Sequence, residues 1–305
     1  MSLRYIGAII SATPPTVTPP SGGEGGSASG AWSLGTVIGY EATSGWPKPL
    51  IPKYLWSWGQ NSFGQLGLGN ITYYSSPKQV GALTTWSAIT GGGYHTIAKK
   101  TDGTLWTWGR NNYGQLGLGN TTNYSSPKQV GALTTWLTIA SGFYHCISVK
   151  TDGTIWTWGR NNYGQLGVGN ATNYSSPKQV GALTTWLAIA GRYAYTIATK
   201  TDGTIWTWGE NNLGQLGLGN ITNYSSPKQV GALTTWSAIA VGGFGSNHTV
   251  AKKTDGTLWT WGYNNRGQLG LGNVTNYSSP KQVGALTTWL AIAAGDYYTI
   301  ATKSS

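Results

Sequence analysis

The side chains with the widest chemical reach in this chain are three His, one Cys, eight carboxylates and 19 basic residues. Acid–base, nucleophilic or metal chemistry would need several of them to converge on one point. His95 and His145 occupy the same place in successive similar segments, Tyr195 and Tyr298 take that place in others, and His248 lies in a longer variant. A place filled by His or Tyr in turn reads first as a structural slot. Spread over repeated units, these His do not gather as metal ligands, so no metal and no cofactor is expected. Asp102, Asp152, Asp202 and Asp255 each precede a Gly and read as turn residues. Asp102–Gly103 in particular reads as a two-residue type I′ hairpin. Cys146 takes the place of Thr96 and, as the single cysteine, forms no intrachain disulfide. The Gly-x-Gly motif around Leu118 leads into no helix and is no phosphate loop. Asn120 and Asn123 match glycosylation acceptors, a match with meaning only in a eukaryotic secretory setting. No nucleophile, base and orienting group stand together, and the expectation is that the protein is not an enzyme.

The elements that hold these residues come from a repeat. Leu105-Trp106-Thr107-Trp108-Gly109 recurs at Ile155, Ile205 and Leu258, with the variant Leu55-Trp56-Ser57-Trp58-Gly59 before it; the spacing is 50, 50, 50 and 53. Each of the five copies runs on through Gly-Gln-Leu-Gly and Ser-Ser-Pro-Lys-Gln-Val-Gly-Ala-Leu-Thr-Thr-Trp, and together they hold 15 of the 17 Trp. Within one unit, 86–90 reads as strand A, 95–100 as strand B, 105–108 as strand C and 126–130 as strand D. Pro127 lacks an N–H, which places strand D at a sheet edge. Four antiparallel strands in each unit of about 50 residues describe a propeller blade. The expected fold is all-β: a propeller of five four-stranded repeats over 54–305, preceded by an extended arm over 1–53. The first copy opens at strand C and the last ends after strand B, so pairing of 54–58 with 297–303 is expected to close the ring and remove two bare edges.

The motif Asn-x-x-Gly-Gln-Leu-Gly-x-Gly, followed by Pro-x-x-Val, Ile-Ala-x-Gly-x-x-His and Thr-Asp-Gly, resembles the regulator-of-chromosome-condensation repeat family. That resemblance implies a propeller, commonly of seven blades, where this chain has five repeats. Members of the family exchange nucleotide on a small GTPase, bind chromatin, inhibit β-lactamase or act as scaffolds. The fold carries over with the motif; the function does not.

Residues 13–30 are a Pro-Gly-Ser spacer, and the apolar Leu3, Tyr5, Ile6, Ile9 and Ile10 before it could add to another protein as an anchor. The opening Met-Ser-Leu-Arg-Tyr-Ile-Gly, with Ser-Gly-Ala-Trp later, looks like the N-termini of structural proteins of marine tailed bacteriophages such as tail fibres. The resemblance implies a virion protein, in a tail or head fibre, docked on other virion proteins by its arm. No run of 18 apolar residues is present, so no membrane insertion is expected.

The formal charge is +11, but the lysines form rings and not a patch: Lys78, Lys128, Lys178, Lys228 and Lys281 share one slot, and Lys100, Lys150, Lys200 and Lys253 another. A dispersed ring disfavours nucleic acid as the partner. The informative signal is where the copies differ. One variable place is the A–B loop: Tyr94 and His95; Phe143, Tyr144 and His145; Arg192, Tyr193 and Tyr195; Phe244 and His248; Tyr297 and Tyr298. The other follows strand C: Gln60 and Phe63, Arg110 and Tyr113, Arg160 and Tyr163, Glu210 and Leu213, Tyr263 and Arg266. In an up-and-down blade both connections share a face, so these residues are the expected binding surface, rich in rigid aromatics and Arg. The expected function is non-enzymatic recognition of a host-surface glycan or protein. The alternative is a soluble interaction module for a GTPase or chromatin. A second copy of the chain is a further candidate partner.

Overall fold

The structure is a computed structural model. It describes residues 54–305 apart from 84 and 244–246, so the anchor residues Leu3, Tyr5, Ile6, Ile9 and Ile10, together with Phe244, lie outside the described residues. The described chain holds 20 strands. They are β1 Trp56–Gly59, β2 Tyr74–Gln79, β3 Trp86–Gly91, β4 His95–Lys100, β5 Leu105–Gly109, β6 Tyr124–Gln129, β7 Trp136–Ser141, β8 His145–Lys150, β9 Ile155–Gly159 and β10 Tyr174–Gln179. There follow β11 Trp186–Arg192, β12 Tyr195–Lys200, β13 Ile205–Gly209, β14 Tyr224–Gln229, β15 Trp236–Val241, β16 His248–Lys253, β17 Leu258–Gly262, β18 Tyr277–Gln282, β19 Trp289–Ala294 and β20 Thr299–Lys303.

These strands make four complete antiparallel blades, β3–β6, β7–β10, β11–β14 and β15–β18, and two half-blades, β1–β2 and β19–β20. Every blade has the same register. In the first complete one Thr96 pairs Trp108, Ile97 pairs Thr107 and Ala98 pairs Trp106. Between β5 and β6 the register slips from Thr107–Lys128 to Gly109–Tyr124. This bulge absorbs Pro127, which needs no ladder partner on an outer strand. Strand D therefore starts at Tyr124, two residues earlier than its polar sequence suggests.

The B–C turn also differs from the expected type I′ hairpin. Gly103 N donates to Lys100 O at 3.0 Å, so Thr101 and Asp102 are the central residues and Gly103, with φ of +79°, follows them. This is the three-residue form of hairpin, a type I turn followed by Gly in the left-handed position. Asp102 Oδ1 caps it by accepting from Thr104 N at 2.9 Å and from Thr104 Oγ1 at 2.7 Å. Those two bonds hold the Asp102 carboxyl below the usual carboxylate range.

The core lies between blades. Ile97, Leu105 and Val130 of one blade pack on Trp136, Cys146 and Trp158 of the next. The same set recurs at three more seams, around Trp108, Trp208 and Trp261. Strand A of each blade lies against strands A and B of the blade before it. At each seam a Trp on strand C reaches back to the preceding unit. Trp108, Trp158, Trp208 and Trp261 donate Nε1–H to the carbonyls of Gln65, Gln115, Gln165 and Gln215 at 2.9–3.0 Å. Gly67 lets the indole in: a Cβ there would stand 2.7 Å from Trp108 Nε1. Gly69 N completes the seam with a bond to Ser125 O at 2.8 Å.

The expected pairing of 54–58 with 297–303 is not present among the described residues. β1 is paired with β2 alone and β20 with β19 alone. Trp58 is 58% exposed, whereas its counterparts Trp108, Trp158, Trp208 and Trp261 are at most 1% exposed. Ile300 is likewise 58% exposed, against 0% for Ile97, Ile147 and Ile197. The four seams are built as expected.

Candidate functional surface

The long C–D connection is rigid because its amides face inward. Asn111 is fully buried; its Oδ1 accepts from Leu116 N at 2.9 Å and its Nδ2 donates to Asn120 O at 2.9 Å. Gln115 Oε1 accepts from Tyr113 N at 2.9 Å, and Asn123 Oδ1 accepts from Asn111 N at 2.7 Å. The Asn and Gln of the repeat motif thus satisfy loop backbone, a role that their composition alone does not reveal. Asn120 and Asn123, the glycosylation matches, belong to this network.

On that support the two variable loops do meet. Phe63 packs edge-on to Tyr94 at 5.3 Å, Tyr94 to Phe143 at 5.7 Å, Phe143 to Tyr144 at 4.5 Å and Tyr113 to Tyr144 at 5.1 Å. Tyr193 continues the row, 6.0 Å from Phe143. The Arg110 guanidinium lies 4.7 Å from the Phe63 ring and 5.3 Å from that of Tyr144, to whose hydroxyl its Nη1 donates at 3.3 Å. Arg160 lies 5.3, 5.7 and 5.8 Å from the rings of Tyr113, Tyr144 and Tyr163. Residues from three successive units thus form one half-buried aromatic row threaded by two cations.

The A–B loops continue inward as a chain of backbone bonds. Gly93 N donates to Phe143 O at 3.1 Å, Phe143 N to Tyr193 O at 3.3 Å and Gly243 N to Gly295 O at 2.9 Å. Beside them lies an open cleft of about 250 Å³ bordered by Gly91–Gly93, Ser141–Phe143, Arg192, Tyr193 and Asp296. Arg192 Nη2 lies 3.7 Å from Asp296 Oδ1, an exposed pair from units that are not adjacent in sequence. Arg266 stacks at 5.7 Å on Tyr297, and Tyr263 is half-buried on the same kind of loop. Glu210 stands where Arg110 and Arg160 do in their units. It is 7% exposed, and burial pushes its carboxyl up, opposed by Arg160 and by a 3.4 Å bond from Asn247.

Four of the expected surface residues are not on the surface. His95, His145, Tyr195 and His248 are at most 1% exposed. As first residues of strand B they point into the seam. Their Nε2 atoms lie 3.1 Å from Cys146 Sγ, 3.0 Å from Thr196 Oγ1 and 3.2 Å from Thr299 Oγ1, while Tyr195 Oη donates to His248 O at 2.9 Å. Burial lowers the His95 pKa to about 4 and, with His95 nearby, that of His145 to about 3. Both are therefore neutral near pH 7. Burial also pushes the Cys146 thiol up, so it is no nucleophile; it donates to Gln115 O at 3.2 Å as Thr does in other units. Tyr298, in the same slot, is exposed. Tyr94, Arg110, Tyr113, Phe143, Tyr144, Arg160, Tyr163, Arg192, Tyr193, Tyr263, Arg266 and Tyr297 are half-buried or exposed.

The lysine rings are tied down. Nζ of Lys100, Lys150, Lys200 and Lys253 lies 3.6–3.7 Å from a Trp ring centroid. The outer ring, from Lys78 to Lys281, stacks on Tyr at 5.2–5.4 Å. Charge is distributed evenly from unit to unit.

Models of the regulator of chromosome condensation (RCC1) repeat match 54–98, 102–149, 152–198, 202–251 and 255–302, and a second model of that description matches 86–115, 137–165 and 237–268. The chain belongs to the RCC1 repeat family. Among solved structures it is similar to human WBSCR16, with a TM-score of 0.73 and 24% identity over 84% of this chain and 68% of that one. It is also similar to Prp20p of Saccharomyces cerevisiae, a structure described with its binding to Gsp1p and histones. There the TM-score is 0.70 and the identity 20%, over 83% of this chain and 65% of that one. Kap60-bound yeast RCC1 matches with a TM-score of 0.55 and 17% identity over 94% of this chain and 84% of that one. At these identities the likeness is one of fold: an all-β propeller of RCC1 type.

Proposed function

We propose that this protein is a non-catalytic interaction module whose A–B and C–D loop face binds another protein. The observation that carries the reading is the Arg110–Arg160 row within Phe63, Tyr94, Tyr113, Tyr144 and Tyr163. Rigid rings contribute contact area at low entropy cost, and each guanidinium held between them keeps donors free for carboxylates. An acidic protein surface fits this face better than a nucleic acid does, because the remaining cations are spread evenly around the units. The family supports the same class of role, since Prp20p is described as binding Gsp1p and histones.

The test is affinity capture with the full chain and with R110E/R160E, read beside DNA binding across a salt series. Protein partners held by the parent and lost by the variant, with the β-sheet fold retained by circular dichroism, are expected. Identical captures would remove this face as the site, and a steep salt slope on DNA would replace the reading with a nucleic-acid one. The site of action is a further proposal. The phage-like start of 1–53 supports a virion setting, tested by whether a chain lacking residues 1–30 still joins particles.

A further inference from the structure

The two half-blades are complementary. β1–β2 supplies strands C and D, and β19–β20 supplies strands A and B. At the last complete blade, the part of the seam that elsewhere holds strands C and D of the next unit is empty among the described residues. A Cβ on Gly114 or Gly164 would meet Ser175 or Ser225, and one on Gly117 or Gly167 would meet Trp158 or Trp208, within 3 Å; on Gly267 it would meet nothing, and on Gly270 only Val283 at 3.5 Å. In their place is a cavity of about 340 Å³ bordered by Gly267, Gln268, Gly270, Trp289, Thr299 and Ala301, among others. Opposite in kind, Trp58 projects at 58% exposure, where Trp108, Trp158, Trp208 and Trp261 are buried.

We propose that this cavity is a socket for β1–β2 of a second copy of the chain, which completes a four-stranded blade of order β19-β20-β1-β2 across two molecules. The internal seams dictate its register. Thr299 pairs Trp58, Ile300 pairs Ser57 and Ala301 pairs Trp56, as Thr96, Ile97 and Ala98 pair Trp108, Thr107 and Trp106. The incoming Trp58 donates Nε1–H to Gln268 O, as Trp261 does to Gln215 O at 3.0 Å, and packs edge-on to Trp289, as Trp236 and Trp261 do at 6.1 Å. Gly272 N then finds Ser75 O, as Gly219 N finds Ser278 O at 2.7 Å. A second copy is the occupant because its edge is the one surface shown to match this seam, four times within the chain, and because the chain's own β1 does not reach it here. The contact is head-to-tail, so copies join in a ring or an open string.

The test mixes two singly substituted full-length chains, Ser57→Cys and Ile300→Cys, under mild oxidation. Cys146 is buried and does not compete. A disulfide between the two chains is expected, because directly paired strand residues lie within disulfide reach. Light scattering should give masses above 32.3 kDa that rise with concentration. Ile300→Lys, at a position exposed in the single copy, should weaken association by about 100-fold or more with unchanged unfolding, since assembly would bury the charge. Monomer at every concentration with no mixed disulfide would overturn the proposal. So would a crosslink formed only in the doubly substituted chain as a monomer, which would show closure by the chain's own β1.

Discussion

At the scale of single residues, the seams rest on buried polar atoms held neutral. His95 and His145 carry pKa values of about 4 and about 3 in the fold, below the ordinary 6.5. The unfolded chain therefore binds more protons, and stability is complete above about pH 6.5 and falls as pH drops toward 4. Urea midpoints at pH 7 and pH 4.5 should differ markedly for the parent and less for His145→Gln. Equal slopes for the two would show that the imidazole is not the group responsible. The same residues show what sequence reading can miss. The alternation of His with Tyr marks a structural slot, yet proximity to a variable loop also marks them as surface. The decision lies in which way the first residue of strand B points, and that is set by the seam. Trp158 is the complementary case: its burial is legible from the repeat, and Trp158→Ala should cost about 3–5 kcal/mol by loss of a fully buried indole, measured by denaturant unfolding.

At the scale of elements, strands A, B and C were readable because apolar residues and Trp alternate within a fixed period. Strand D is longer than its sequence suggests because its first residues, Tyr124 and Ser125, are half-buried in a bulged edge and carry no alternation. Asp-Gly marks the place of the hairpin but suits either turn, and the hydrogen bond from Gly103 to Lys100 decides between them. That turn also docks on the neighbouring unit. A Cβ on Gly153 would fall 2.0 Å from Thr184 O, at φ of +76°. Gly153→Ala should therefore lower stability by about 2 kcal/mol or more, from left-handed strain and displacement of the loop before β11. A denaturation midpoint unchanged from the parent would mean that the turn is not part of the seam.

For the whole molecule, each unit touches its neighbours in sequence through the same set of contacts, so unfolding should start where a neighbour is missing. Hydrogen exchange is expected to be fastest in β1 and β20 and slowest in β8 and β12, whose side chains are buried throughout. If copies join as proposed, β20 should gain protection as concentration rises while β8 does not change. The repeat points to closure, yet no pairing of 54–58 with 297–303 is present among the described residues. The motif specifies how one unit meets the next, and the turn per unit that brings the ends together is a sum over all seams.

The interchangeability of the seams has an evolutionary corollary. Gln65, Gln115, Gln165 and Gln215 each receive a Trp in the same way. Unequal recombination between copies of the coding repeat would then delete or duplicate a whole module and leave every remaining junction correctly matched. The number of modules becomes a quantity that a lineage can vary in single steps, with no intermediate that misfolds.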